Sequence, residues 1–345
     1  MAAPASRSVA RERGGTADIV GTAVLVGCAV WALVSAAGRE GRPEGVLLAV
    51  LAVAAGYTCG RIAGSLVPVA TALALAVFAY VMAVAARQGV PGDTAESAAP
   101  PGDTGAVAAL LVLAVGAACC AAAASESPGR RNALLVVAAV AAASGPVLGS
   151  VLGSVAGLVA AVGVLLCSLA AARMRHRTLG MAGFVVATCL MVGVSWAVAV
   201  QALPEGLASS LEGQLTTHRV LLWEDAVDLV GENPLLGAGP DRFGDLSPTA
   251  LESLDSDGKP HSAPFQLAAE QGLAGALLLG SVFGWLLYAL WRSPRATPVV
   301  LSAGAALTAL AAVATVGNAL SFTPVTAGAG ILAGLATARP PDDRP

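Results

Sequence analysis

Residues 105–124 read GAVAALLVLAVGAACCAAAA, twenty consecutive positions without a charge or a proline. As a helix, such a stretch is about 30 Å long, the thickness of a bilayer's hydrocarbon core. Blocks of the same kind recur along all 345 residues, at 18–37, 45–60, 65–86, 105–124, 132–148, 150–171, 179–201, 264–291, 298–317 and 320–338. They predict an all-α, polytopic integral membrane helix bundle of about ten transmembrane helices. Composition agrees. AVILMFWYC residues make up 56% of the chain, glycine adds 40 more, and charged residues are only 12%, against about a quarter in soluble domains. With a net charge of -3 there is no basic footprint for DNA or RNA, so nucleic-acid binding is excluded.

Two boundaries rest on turn-forming residues. The stretch 132–171 carries no charge after Asn132 and is too long for one crossing, so it is divided at Ser144-Gly145-Pro146, where Gly and Pro permit a turn. The last two spans divide at Asn318. The first block has no small-residue cleavage site in the usual place and is read as a span, not as a removed signal peptide. Basic residues test the alternation, because cytoplasmic loops carry the excess of Lys and Arg. With a cytoplasmic N-terminus, 13 of the 19 fall inside, and Arg39, Arg42, Arg87, Arg219, Arg242 and Lys259 fall outside. The expected organisation is a cytoplasmic tail (1–17), transmembrane helices 1–7 (18–201), an extracytoplasmic loop (202–263), transmembrane helices 8–10 (264–338) and a second cytoplasmic tail (339–345). The protein is expected in the cytoplasmic (inner) membrane, multi-pass, with both termini cytoplasmic.

The loop 202–263 far exceeds ordinary connection lengths, and loops that long are usually functional or disordered. This one carries signs of folding. Thr216 and Thr217 offer an N-cap to a helix over 219–230, on which Arg219, Trp223, Ala226, Val227 and Val230 share one face, and Asn233-Pro234 stops it. A Pro-Leu-Leu-Gly-Ala-Gly-Pro turn and Arg242-Phe243-Gly244 follow. After an acidic stretch from Glu252 to Lys259, expected to be mobile, the chain re-enters the bilayer at His261-Ser262-Ala263-Pro264, with Ser262 as N-cap and Pro264 near the first helical position.

Ionisable groups at membrane depth are costly and mark function. Glu270, two turns into the eighth span, is the one such group expected here. The absence of others argues against a proton relay. His176, His218 and His261 all lie in loops, which argues against intramembrane Ser/His hydrolysis. The six cysteines have neither CxxC nor His spacing, so they are read as packing residues, with no zinc site and no disulfide framework. Gly149, Gly153 and Gly157 read as close helix packing. Asp255-Ser256-Asp257 resembles a metal-binding DxD, but Gln266 stands where a calcium loop has Glu, so it is read as a solvated turn. His261, at the membrane boundary, can shuttle a proton near neutral pH, and Arg219 and Arg242 are suited to bidentate contacts with diphosphate oxygens. An amphipathic cap and solvated loop arginines are the alternatives. Trp223 reads either as an interfacial belt residue or as a platform for a sugar ring.

Arg219-x3-Trp223, then Asn233-Pro234-Leu235-Leu236-Gly237-Ala238-Gly239 and Phe243, then His261 followed by Phe265-Gln266-Leu267-Ala268-Ala269-Glu270-Gln271-Gly272-Leu273-Ala274-Gly275 resembles the O-antigen ligase/polymerase family. The resemblance covers about 130–290, with its specific motifs within 219–275. It implies a GT-C-type glycosyltransferase that is inverting and metal-independent, needs no cofactor, and uses an undecaprenyl-diphosphate-linked glycan donor with a glycan or lipid acceptor. By the resemblance, Arg219 binds diphosphate, His261 activates the acceptor or steadies the leaving group, and Glu270 supports the His-bearing helix. Arg242 and Trp223 complete the expected substrate-binding set. Nine positions put His261 and Glu270 on opposite faces of an ideal helix. Two departures stand out: Ser262 follows the His where Asn is common, and Ser144-Gly145-Pro146 stands where a Ser-Arg-Gly signature is common.

A ligase and a polymerase share this donor chemistry and differ in the acceptor groove. A transporter of lipid-linked sugars instead predicts broken spans with polar midplane groups, which the sequence does not display. A non-catalytic membrane subunit, working with other polysaccharide-assembly proteins, is the reading that the missing Ser-Arg signature favours.

Overall fold

The computed structural model describes residues 5–88, 105–144, 151–174, 176–202, 217–252 and 258–339. Among these every regular element is helical. Three helices, α1 (Ala5–Ala36), α2 (Glu44–Leu66) and α3 (Pro68–Gln88), precede α4 (Ala106–Ala123), α5 (Pro128–Ala143), α6 (Val151–Ala171) and α7 (Arg177–Ala199). The long loop contains α8 (Thr217–Glu232) and two short helices, α9 (Phe243–Leu246) and α10 (Pro248–Glu252). The chain closes with α11 (Ala263–Trp291), α12 (Thr297–Thr315), a 3-10 turn at Ala319–Ser321 and α13 (Thr323–Thr337).

Among the described residues seven helices are long and apolar enough to cross a membrane: Gly15–Ala36 of α1, α2, Pro68–Ala86 of α3, α4, α7, α11 and α12. The described part of α6, Gly157–Ala171, and α13 are apolar but shorter. In α5, Arg130 and Arg131 occupy the first turn. The division at Asn318 is present, with Asn318 preceding the 3-10 turn. The 144–146 division falls between α5 and α6, and 145–150 lie outside the described residues, as does Gly149.

Helix α4 is the centre of the bundle, packed by α3, α5, α6, α12 and α13, with nearly all of its side chains buried. Lipid provides no hydrophobic drive between helices, so small residues that admit close approach carry the packing. The alanines, glycine and cysteines of α4 suit that position. Outward-facing Val, Leu and Ile of α1, α2, α5 and α7 remain exposed, as a lipid-facing surface requires. The closest pairing joins α2 and α13. A Cβ on Gly60 would lie 2.3 Å from the Ile331 carbonyl oxygen, and one on Gly334 would lie 2.1 Å from the Tyr57 oxygen. Gly56, Gly60 and Gly64 therefore form a small-residue stripe, and of the Gly149, Gly153 and Gly157 series, expected to serve close helix packing, Gly157 packs tightly on Ala108.

Arg61 corrects two expectations. The second span was expected to end before it, yet α2 continues to Leu66 and stops at Val67-Pro68. The continuation is possible because Asp18 of α1 pairs with the Arg61 guanidinium, which also lies 5.7 Å from the Tyr57 ring centroid. Glu270 is thus not the one ionisable group within the spans. Near the same end of the bundle, Arg295 donates to the carbonyls of Gly64 (2.6 Å) and Ala338 (2.9 Å), and Arg177 donates to that of Ser293 (2.6 Å). The ends of α2, α11 and α13 and the start of α7 therefore meet, in the order that alternating helices demand.

Candidate active site

Helix α11 is broken. Gly272 sits at φ 71°, ψ -175°, a conformation that glycine essentially alone adopts. Backbone groups freed at membrane depth must find partners in protein, and here the Pro234–Pro240 turn supplies them. The amides of Ala238 and Gly239 donate to the carbonyls of Ala269 and Glu270 (2.8 Å each), and Leu273 N–H donates to Pro234 O (2.9 Å). The Gln271 carbonyl accepts from Trp31 Nε1 of α1 at 2.9 Å. Both glycines at this junction are constrained. Gly237 has φ 66° and abuts the Glu270 carbonyl carbon, where a Cβ would lie 2.4 Å away; a Cβ on Gly272 would lie 2.2 Å from Leu235 O. The Pro-Leu-Leu-Gly-Ala-Gly turn and the Glu-Gln-Gly helix are thus two halves of one joint.

Glu270 lies in this joint and is buried. Its carboxylate accepts from Gln266 Nε2 at 3.2 Å and from the backbone amide of Asp241, and Asp241 and Lys259 are its charged neighbours. It thereby ties the residue before Arg242 to α11. A broken span with polar groups beside the break is present, contrary to the sequence-based expectation, although the turn's backbone fills the break.

The loop is folded against the membrane helices. Helix α8 stops at Glu232, before Asn233-Pro234, and buries Leu222, Trp223, Ala226, Leu229 and Val230. Phe265 of α11 lies between two indoles: Trp196 of α7 at 5.5 Å, nearly parallel, and Trp223 at 5.2 Å. Phe243, Ala250 and Ala269 close this small core. The Asp225 carboxylate accepts from the Ser247 hydroxyl and from the Thr249 amide (3.0 Å), which fastens α10 to α8. The side chains of Thr216 and Thr217, and the Asp255-Ser256-Asp257 turn, lie outside the described residues.

Trp223 fits neither expectation for it. Its ring is 0% exposed and its Nε1 donates to Pro260 O at 2.8 Å, so it presents no face to a sugar or to the lipid–water boundary. Instead it fixes the residue before His261. His261 takes a left-handed conformation, φ 50°, uncommon for a side chain with a Cβ, and is half-buried at the mouth of α11. Ser262 occupies the N-cap position, but its hydroxyl caps nothing. Arg219 stands one helical turn before Trp223, on the side of α8 that reaches Pro260. Arg242 is brought in from the other direction: Gly244, two residues on, packs on Gly258, where a Cβ would lie 2.8 Å from the Gly258 Cα. Gly258 and Lys259, expected to be mobile, are packed here.

Arg219, Arg242 and His261 are thus all carried on this folded loop, and the Glu270 carboxylate accepts from the amide of Asp241, the residue before Arg242. Sequence reasoning missed Trp196 and Phe265, which anchor the loop, and Arg39, which packs against the same turn (below). The chain has 5 Trp, 3 Tyr and 6 Phe, so an isolated aromatic on a span end was a usable signal. No curated protein matches the chain. Residues 137–280 match the family model described as O-antigen ligase, a segment that holds α8, the turn, His261 and the break at Gly272. The chain therefore combines helices long and apolar enough to cross a membrane with a segment, residues 137–280, that is similar to the O-antigen ligase family.

Proposed function

We propose that the protein is a glycosyltransferase that transfers or joins undecaprenyl-diphosphate-linked saccharides on the outer face of the cytoplasmic membrane. In this reading all ten apolar helices cross the bilayer, both termini are cytoplasmic, and the 202–263 loop faces outward. The observation that carries it is the Trp223 Nε1 to Pro260 O bond, which ties the Arg219-bearing helix to the residue preceding His261. Arg219 and Arg242 bind the donor diphosphate, where guanidinium forks match phosphate oxygens. An acceptor hydroxyl attacks the anomeric carbon, and its proton passes to the His261 imidazole. The bond from that carbon to the diphosphate oxygen breaks with inversion, and the lipid diphosphate leaves with its charge held by the arginines, so the step needs no metal.

A lipid-linked-sugar transporter is the second reading, favoured by the broken α11. It requires no proton acceptor, which separates the two. In His261→Ala the reading predicts loss of glycan transfer with donor binding and folding retained, measured with purified protein, donor and acceptor. Transfer at the wild-type rate would remove His261 from the mechanism. Arg219→Lys keeps the charge and loses the fork, so donor affinity should fall about tenfold. Unchanged affinity would place the diphosphate elsewhere.

A further inference from the structure

The α1–α2 connection lies outside the segment that matches the family, yet it is stitched to the turn that seals the broken helix. Arg42 N–H donates to Pro240 O at 2.8 Å, and a Cβ on Gly41 would lie 2.9 Å from Pro240 Cδ. Between these contacts and α1, Arg39 packs its stem on Gly239. A Cβ at Gly239 would lie 3.4 Å from Arg39 Cδ and also 3.4 Å from Arg242 Cδ. The two arginine stems therefore flank one backbone position, with their Cδ atoms within twice that distance of each other. Among the described residues one Arg39 donor is used, Nη1 to Ser35 O at 3.0 Å, which holds the side chain in place and leaves most of its guanidinium hydrogens for a ligand.

Among the described residues neither guanidinium has a carboxylate partner. Among the described residues, the ion pair within 4.0 Å is Arg61–Asp18, at the other end of the bundle. The nearest buried carboxylate, Glu270, is engaged by Gln266 and the Asp241 amide. Arg242 Nε is buried without a hydrogen-bond partner among the described residues. Two guanidiniums whose stems meet at one glycine, without a carboxylate among the described residues, repel one another, and an anion bridging them offsets that repulsion. Each fork takes two oxygens of one phosphate, so a pair of forks suits two linked phosphates better than one.

We propose that Arg39 and Arg242 form a two-fork diphosphate site, with Arg39 a donor-binding residue contributed by the α1–α2 connection. This rests on the glycosyltransferase reading for the identity of the ligand as a lipid-linked diphosphate. The test uses the full chain in phosphatidylcholine nanodiscs and measures binding of undecaprenyl diphosphate to wild type, Arg39→Gln, Arg242→Gln and His261→Ala. Arg39→Gln keeps a polar stem and a donor for Ser35 O while losing the charge. It is expected to bind at least tenfold more weakly, as Arg242→Gln should, with an unchanged melting temperature and with His261→Ala binding normally. Wild-type affinity in Arg39→Gln would overturn the proposal and leave the functional reading standing, whereas a wild type that does not bind would overturn both. Should Arg39→Gln fail to fold, Arg39→Lys retains charge and length. It should bind several-fold more weakly, and affinity equal to wild type would overturn the two-fork geometry. Inorganic pyrophosphate should compete; phosphatidylglycerol competing equally well would overturn recognition of a diphosphate.

Discussion

Replacing Gly272 by alanine tests the joint on which the site is built. At φ 71°, ψ -175° a side chain costs about 1–3 kcal/mol in backbone strain alone. The new Cβ would also stand 2.2 Å from Leu235 O and 2.8 Å from Pro234 O, and those are backbone atoms that move only if the turn moves. Displacing the turn breaks the bonds from Ala238 to Ala269, from Gly239 to Glu270 and from Leu273 to Pro234, each worth about 0.5–1.5 kcal/mol net. The total, about 3–7 kcal/mol, is a large share of a typical stability of about 5–15 kcal/mol. At roughly 2–4 °C per kcal/mol, the detergent-solubilised variant should melt on the order of 10 °C lower by intrinsic fluorescence. Gly280→Ala, in the same helix, is the control: nothing lies within 4 Å of its Cβ, and alanine there should be neutral or gain up to about 1 kcal/mol. If Gly272→Ala melts with Gly280→Ala and retains donor binding, the turn does not seal the break and the account of the joint fails.

Two further outcomes follow from the same geometry. Trp223→Phe keeps the stacking on Phe265 but loses the bond to Pro260 O, so glycan transfer should fall roughly five- to tenfold, the equivalent of about 1 kcal/mol, in kcat more than in donor KM; an unchanged kcat would show that His261 is placed without it. Gly60→Val pushes a side chain into the Ile331 carbonyl at 2.3 Å and should abolish a monodisperse gel-filtration peak, whereas Gly45→Val, with open space around its Cβ, should leave it intact.

The sequence makes the helical class visible because apolar blocks of bilayer length admit few other structures. Charge is a weaker guide to helix ends. Arg61 marks a span end by hydropathy, but a carboxylate on another helix, Asp18, lets α2 run past it, and such pairing is a tertiary fact. The loop helix was legible from the period of Trp223, Ala226 and Val230 and from its Asn233-Pro234 stop, since both signals are local. The roles within the loop were not. Trp223 reads the same whether its ring meets lipid, sugar or a neighbouring phenylalanine, and only the fold brings Phe265 and Trp196 to it. Gly272 sits within an otherwise ordinary helical pattern, and its break depends on a partner turn more than thirty residues earlier.

That dependence also explains why the matched segment is not self-sufficient. Residues 137–280 contain the turn, His261 and the broken helix, but the Gln271 carbonyl is satisfied by Trp31 and the Pro240 carbonyl by the Arg42 amide, both from the first two helices and their connection. Without those partners, two backbone acceptors at the joint are left unpaired near the membrane, each at a cost of about 1–3 kcal/mol. The same helices carry Arg39 to Gly239. The N-terminal pair therefore serves the joint twice, by completing its hydrogen bonds and by bringing a second guanidinium to Arg242. A segment confined to the matched residues would retain the His and Arg motifs yet lose Arg39 and two hydrogen-bond donors of the joint on which Arg242 is built.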